Sequence, residues 1–300
     1  MTGLATRPGC RAGGAAGPAR RVLFLLLALP LLAGFGGLAF NAGPDADLLP
    51  HWQAQDPDSA VTVDHAPWQR FLDRYLRPNP APGGPSLVAY GAVTPTDREA
   101  LRRYIDGLAG LPVTALTRAD QFAYWVNLYN ALTVDLVLSH YPVATIRDID
   151  ISPGLFADGP WGRTLVTVEG RALSLDDIEH GILRPIWQDP RIHYAVNCAS
   201  IGCPALQGRA FTAANAEALL RAGAEAYVNS PRGARFDADG ALTVSSLYDW
   251  YAVDFGNGAA GVLAHLRRHA APALLAQLDG VTGIADTAYD WRLNDAGGGR

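Results

Sequence analysis

The stretch TRADQFAYWVNLYNALTVDLVLSHYP, Thr117 to Pro142, decides the fold. Phe122, Trp125, Val126, Tyr129, Thr133, Leu136 and Val137 recur at helical spacing. Thr117 is placed to cap the helix with Asp120 three residues later, and Tyr141-Pro142 stops it. Ala123, Ala131, Leu132 and Val134 make the remaining faces apolar, which predicts a central helix buried on nearly all sides. Against that background Asn127 and Asn130 stand out, because they share a face and a buried amide must find partners. Two readings stay open: structural amides tying the helix to neighbouring backbone, or amides lining a site.

Outward from this helix the pattern is mixed. PWQRFLDRYL, with Pro67 at its first position, and DREALRRYIDGL from Asp97 predict two helices before it. After it, RTLVTVEGRALSL alternates and turns at Glu169-Gly170, which predicts a β-hairpin. Ser174, with Asp177 at the capping-box position, opens the short helix LDDIEHGILRP. Glu179, His180 and Arg184 on it form either a solvated face or an acid–base group presented to the next element. Ile192-His193-Tyr194-Ala195-Val196 reads as a strand, with His193 and Ala195 on one face. A helix from Thr212, a second hairpin at Asp239-Gly240, the aromatic cluster Tyr248, Trp250, Tyr251 and Phe255, a helix around AGVLAHLRRHA and the strand-like TAYDWRLN complete the chain. No regular βαβ alternation is present, so the fold class is α+β. The expected form is a single domain whose buried central helix packs on a small, mainly antiparallel sheet.

Composition bounds the chemistry. All 24 basic residues are Arg. The absence of Lys excludes Schiff-base lysines, Ser-Lys dyads and Walker-type phosphate loops. No G-x-S-x-G, H-E-x-x-H, EF-hand or G-x-G-x-x-G pattern occurs, so the usual signals of serine hydrolases, zincins and dinucleotide binders are missing. With the four Arg of residues 1–39 set aside, 20 Arg face 29 acidic residues, a net charge of −9. No nucleic-acid partner is expected of such a surface.

Residues 1–39 read as a targeting segment. Arg20 and Arg21 precede VLFLLLALPLLAGFGGLAF, and Gly37-Leu38-Ala39 offers a small-residue cleavage site. A membrane anchor needs ~20 apolar residues, and this run is broken by Pro30, Gly34, Gly36 and Gly37, so a cleaved signal is preferred to an uncleaved anchor. Export to the periplasm or cell envelope follows, with membrane association through this segment if it is retained. Residues 40–64 are expected to be a linker, 65–294 one globular domain, and 295–300 a disordered tail.

The reactive side chains concentrate in DPRIHYAVNCASIGCP, Asp189 to Pro204. A thiol is the best nucleophile this sequence offers, and a nearby His can lower its pKa from ~8.5. Cys203 is the preferred nucleophile, because Gly202 and Pro204 mark a tight, exposed turn. His193 is the preferred base, with Cys198, His180 and Glu179 as further candidates. Asn127, Asn130, Asn197, Trp125 and Asp290 are the candidate substrate-binding residues. Three competing readings remain: a Cys198–Cys203 disulfide favoured by an oxidising compartment, a metal site on His193, Cys198 and Cys203 whose spacing fits no common zinc pattern, and two buried, inert thiols. No metal or cofactor is expected.

QFAYWVNLYNAL, LVTVEGRALSLDDIEHGILRP, DPRIHYAVNCASIGCPAL, WYAVDFG and YDWRLN resemble the family known as domain of unknown function 547, over about residues 65–294. The family carries no settled activity. The resemblance implies a fold-level likeness to papain-like and transglutaminase-like thiol enzymes, which place the nucleophilic Cys at the start of the central helix. Here that start, near Gln121 and Phe122, has no Cys, and both candidate thiols follow His180 and His193. The papain order therefore requires a migrated nucleophile or a role for His265 or His269. The expected function is a thiol-dependent hydrolase or acyltransferase acting on an amide or peptide-like envelope substrate, whether a small molecule or a peptide. The alternative is a non-catalytic envelope binding or structural module of papain-like shape, built on Asn127, Asn130, His193 and Glu179.

Overall fold

A computed structural model of the chain describes residues 43–81, 83–153 and 159–297. The expected signal or anchor over residues 1–39 lies outside the described residues. Among those described, no helix is long and apolar enough to cross a membrane.

The fold is built around α3, Arg118–His140. Thr117 Oγ1 accepts the Asp120 N–H at 3.2 Å and donates to Asp120 Oδ2 at 2.6 Å, so the cap expected from sequence is formed. From Gln121 to Leu138 nearly every side chain is buried, on all faces. Each Leu or Val so buried contributes about 1.5–3 kcal/mol. Before it come α1, Ala66–Tyr75, and α2, Pro95–Ala109, which bury Trp68, Phe71, Leu72 and Tyr75, and Leu101, Tyr104, Ile105 and Leu108, respectively. The main neighbours of α3 are α2 and a π-helical turn, Asp177–Leu183, rather than a sheet.

The strands form three small sheets, so the α+β class holds while no single sheet supports the central helix. β1, Leu76–Arg77, pairs antiparallel with β2, Leu87–Val88. β3, Val166–Val168, pairs with β4, Arg171–Leu173, around Glu169 and Gly170 at φ 47° and 74°. Positive φ at both positions is what a tight hairpin of this hand needs, and glycine supplies it without strain. The run 177–183 continues into α4, Arg184–Trp187. After α5, Ala216–Val228, come β5, Ala234–Phe236, and β6, Leu242–Ser245, paired antiparallel. Beyond α6, Leu247–Trp250, α7, Gly258–His269, and α8, Pro272–Gln277, the strand β7, Asp286–Ala288, adds to β6 in parallel. A larger core surrounds α3, and a smaller one joins α5, β6 and α7 through Tyr227, Val244, Tyr248, Phe255 and Leu263.

Several expectations are corrected. The segment expected to be a strand at Ile192–Val196 is a 3₁₀ turn, Pro190–Tyr194. Its alternation carried no information, because Ile192, His193, Tyr194, Ala195 and Val196 are all buried. Asp189 instead organises a turn: its Oδ1 accepts the Arg191 N–H at 2.9 Å, and its carbonyl accepts the Ile192 N–H at 3.1 Å. The helix expected from Thr212 begins at Ala216, because Thr212 and Asn215 first close a turn on each other at 2.8 and 3.3 Å. The segment read as a linker is bonded to the domain: Gly43 N–H donates to the Trp250 carbonyl and Leu49 N–H to the Gly181 carbonyl, each at 2.8 Å. At the other end Ala296 N–H donates to the Val88 carbonyl at 2.9 Å, so the chain is still paired where a tail was expected.

Candidate functional site

The π-helical turn is the first element of the site. Here Arg184 N–H donates to the Glu179 carbonyl, five residues back. Pro185 has no N–H for the Gly181 carbonyl, which is left to accept from Leu49. A Cβ at Gly181 would meet Leu49 Cδ1 at 2.8 Å, so a larger residue here would make the Leu49 side chain shift. The wide turn holds the consecutive residues Glu179 and His180 both buried, facing one cavity. Short π segments recur at functional sites.

That cavity has a volume of about 510 Å³, within the range of small-molecule sites. It brings together all five candidate catalytic residues, Cys203, His193, Cys198, His180 and Glu179, among aromatic walls. Behind the wall runs a charged chain. His193, with its side chain only 1% exposed, places Nε2 at 2.7 Å from Asp254 Oδ2 and Nδ1 at 3.4 Å from Glu179 Oε1. Burial opposes its charge, but the two carboxylates outweigh it and raise its pKa above the ordinary value. Burial also opposes the charge on Glu179; His180, His193 and the Tyr129 hydroxyl, which donates at 3.0 Å, nevertheless hold its pKa down to about 2. Asp254 is held at about 2 against burial by hydrogen bonds from His193 and Arg184.

Arg184 joins this chain to His180. Its side chain is 2% exposed, and its Nε donates to Asp254 Oδ2 at 2.6 Å. Its Nη1 donates to the Pro44 carbonyl at 2.7 Å and reaches His180 Nδ1 at 3.1 Å. A guanidinium can only donate, so His180 Nδ1 accepts and the ring carries its proton on Nε2. Burial and Arg184 keep His180 neutral, lowering its pKa. Tyr251 packs across both halves, stacked on His193 with 4.2 Å between centroids and 4.9 Å from the Arg184 guanidinium.

The thiols have different surroundings. Cys203 is 4% exposed, not exposed as its Gly-Pro context suggested. The turn is folded onto the C-terminal segment through Gly202 N–H to the Asp290 carbonyl at 2.7 Å and Ile201 N–H to the Arg292 carbonyl at 2.8 Å. Burial and the neighbouring Cys198 push the Cys203 pKa well up. Cys198 is half-buried, with Sγ 3.0 Å from the Tyr289 hydroxyl and 3.3 Å from Ser200 Oγ. The Cys203 thiol first, then the Ser200 and Tyr289 hydroxyls, pull its pKa below the ordinary thiol value despite burial. Both cysteines are free, and Cys203 Sγ accepts the Cys198 N–H at 3.0 Å rather than forming the bridge that export suggested. No hydrogen bond joins His193 to either sulfur among the described residues, because both its nitrogens face carboxylates. Among the described residues no group of three or more His, Cys, Asp or Glu side chains is arranged to hold a metal ion.

None of the five candidate substrate-binding residues lines the cavity. Asn127 bonds the Phe211 carbonyl and N–H at 2.8 and 3.0 Å. Asn130 donates to the Ala195 carbonyl at 2.9 Å and accepts the Asn197 N–H at 2.8 Å. Asn197 donates to the Pro204 carbonyl at 2.7 Å and accepts the Ala199 N–H at 3.0 Å. Asn130 and Asn197 hold the thiol loop from beneath, including Ala199 at φ 59°, a left-handed conformation that costs a non-glycine residue about 1 kcal/mol or more. Trp125 is buried within the core, and Asp290 pairs with Arg292 at 2.5 Å. Gln121, near the helix start where the papain analogy looks for a thiol, donates to the Ala54 and Val113 carbonyls, both at 2.8 Å. Sequence reasoning missed Asp254, Arg184 as a buried partner, Tyr289 and Asp176. Asp254 lies within the WYAVDFG phrase and Asp176 beside the capping box, but neither has a spacing signal that separates it from a surface acid.

Fold and site together define an α+β protein with a cavity that carries two thiols, two histidines and carboxylates. Residues 113–228 match the family model described as protein of unknown function, DUF547, and that stretch is a domain of this family. No curated protein and no solved structure matches the chain.

Proposed function

We propose that the protein is a thiol-dependent acyl-transfer enzyme of the cell envelope, hydrolysing or transferring an amide- or peptide-like substrate, with Cys198 rather than Cys203 as nucleophile. The observation that carries this reading is the half-buried Cys198 sulfur on the cavity wall, with a lowered pKa and its loop fixed by buried amides. In this reaction Cys198 Sγ attacks the substrate carbonyl carbon, the C–N bond breaks, the amine leaves with a proton, and the acyl group remains as a thioester until water or a second nucleophile takes it. Cys203 then acts as the donor that steadies the thiolate. The envelope location rests on the export reading of residues 1–39.

A binding module without catalysis is the second reading. It is supported by the closure of His193 between Glu179 and Asp254, which leaves no ring nitrogen for a thiol. Alkylation with iodoacetamide, followed by peptide mapping across pH, separates the two. The catalytic reading expects Cys198 to react about tenfold faster than free cysteine near neutral pH, with a midpoint below ~8.5, and Cys203 to stay protected. Reaction of Cys198 no faster than the free amino acid leaves the binding module.

A further inference from the structure

The cavity's charges do not sum to a neutral site. Glu179 faces His193, and Asp254 faces both His193 and Arg184, so these carboxylates meet cations within the fold. Asp176 is different. Its side chain is 47% exposed, it lines the cavity, and its only ion-pair partner among the described residues is His180 Nε2 at 3.7 Å, on a ring that is neutral. Burial first, and then the like charges of Glu179 and Asp177, the other charged groups felt at Asp176, raise its pKa to about 6. Among the described residues no Arg lines the cavity, and the chain has no Lys, so an anionic ligand would find no unneutralised cation in that lining.

The walls near this carboxylate are aromatic. Trp161, whose carbonyl accepts the Asp176 N–H at 3.1 Å, packs edge-on to Trp291 with 5.8 Å between centroids. Trp291 in turn contacts Trp250 at 5.5 Å and Tyr289 at 4.7 Å. Aromatic faces attract cations through their quadrupoles and bury apolar groups at the same time. Gly162 lies beside the carboxylate, where a Cβ would sit in ordinary contact 3.7 Å from Asp176 Oδ2.

We propose that this cavity binds a protonated amine carried on an apolar or aromatic body, with the ammonium on Asp176 and the body against Trp161, Trp250 and Trp291. The inference rests on reading the cavity as the ligand site, and it specifies the ligand class; it does not require the thiol to be catalytic.

The test uses calorimetric titration of the full domain with phenylbutylamine, its N-acetyl derivative and phenylbutanoate. The amine has a lysine-like pKa near ~10, so it keeps its charge from about pH 5 to about 8, and only the protein titrates. The amine is expected to bind about tenfold more tightly than the acetylated probe at about pH 7, and phenylbutanoate not to bind. The preference should shrink as pH falls through about 6, because Asp176 loses its charge. In Asp176→Asn it should fall to about twofold while the acetylated probe binds unchanged; the half-exposed position allows the variant to fold, and an unchanged urea midpoint checks that it does. In Cys198→Ala the preference should persist, which separates this inference from the thiol reading. Equal or tighter binding of either uncharged or anionic probe overturns the proposal, as does a full preference retained in Asp176→Asn.

Discussion

The buried polar groups of α3 and those behind the cavity solve the same problem in different ways. Asn127 and Asn130 satisfy themselves on main-chain groups of residues 195–211, with neutral partners that never change charge. His193, Glu179, Asp254 and Arg184 satisfy one another, and each depends on the ionisation of its neighbour. The first arrangement fixes geometry at any pH; the second fixes it only while the charges stand. The lesson is that one site combines an inert foundation under the thiol loop with a titratable wall beside it.

The largest expected effect comes from removing the charge that two cations share. Asp254→Asn leaves buried His193 and Arg184 without their common carboxylate and should cost about 3–5 kcal/mol in urea unfolding. Asn130→Ala leaves the Ala195 carbonyl and Asn197 N–H without partners and should cost about 2–3 kcal/mol. If the two variants were equally costly, the distinction between the arrangements would collapse. Asn130→Ala should also raise the pH midpoint of Cys198 alkylation, since the loop that aligns its donors is loosened.

A smaller effect concerns pH. Glu179 and Asp254 are held at about 2, below their ordinary values, so the stability they contribute is present above about 4 and is lost as pH falls through about 2. His193 is raised, so its contribution is fully present below about 6.5 and is lost as pH rises through its folded value. Urea midpoints should therefore decline as pH rises above about 6.5. In Glu179→Gln, where His193 keeps only one carboxylate, that decline should be smaller and end at lower pH. An unchanged alkaline limb in this variant would remove His193 from the account.

Legibility from sequence followed the locality of the cause. The Thr117–Asp120 and Ser174–Asp177 caps and the Glu169-Gly170 turn are fixed by residues a few positions apart, and all three appear as read. The run 192–196 failed because period-two alternation reports a face only when the opposite face is wet, and here both are dry. Cys203 was misjudged because Gly202 and Pro204 predict a turn but not what packs on it, which is the segment 290–292, some ninety residues on. Asp254 was invisible for the same reason: its partners lie 61 and 70 residues away. That the thiols and histidines share one cavity was legible because they are rare residue types close together in the chain. The cavity's wiring was not, because that depends on which distant acids arrive.

The wide turn at 177–183 has a consequence for chain length. A coil closed over five residues holds more chain per turn than one closed over four, so this segment stores length that an α-helical path would not need. Deleting a single residue between Asp177 and Leu183 is expected to let it relax to the tighter, more favourable coil, turning Glu179 and His180 out of step with Arg184. Such a deletion would ease the coil while taking Glu179 away from buried His193, so in this one turn backbone preference and buried charge pairing oppose each other.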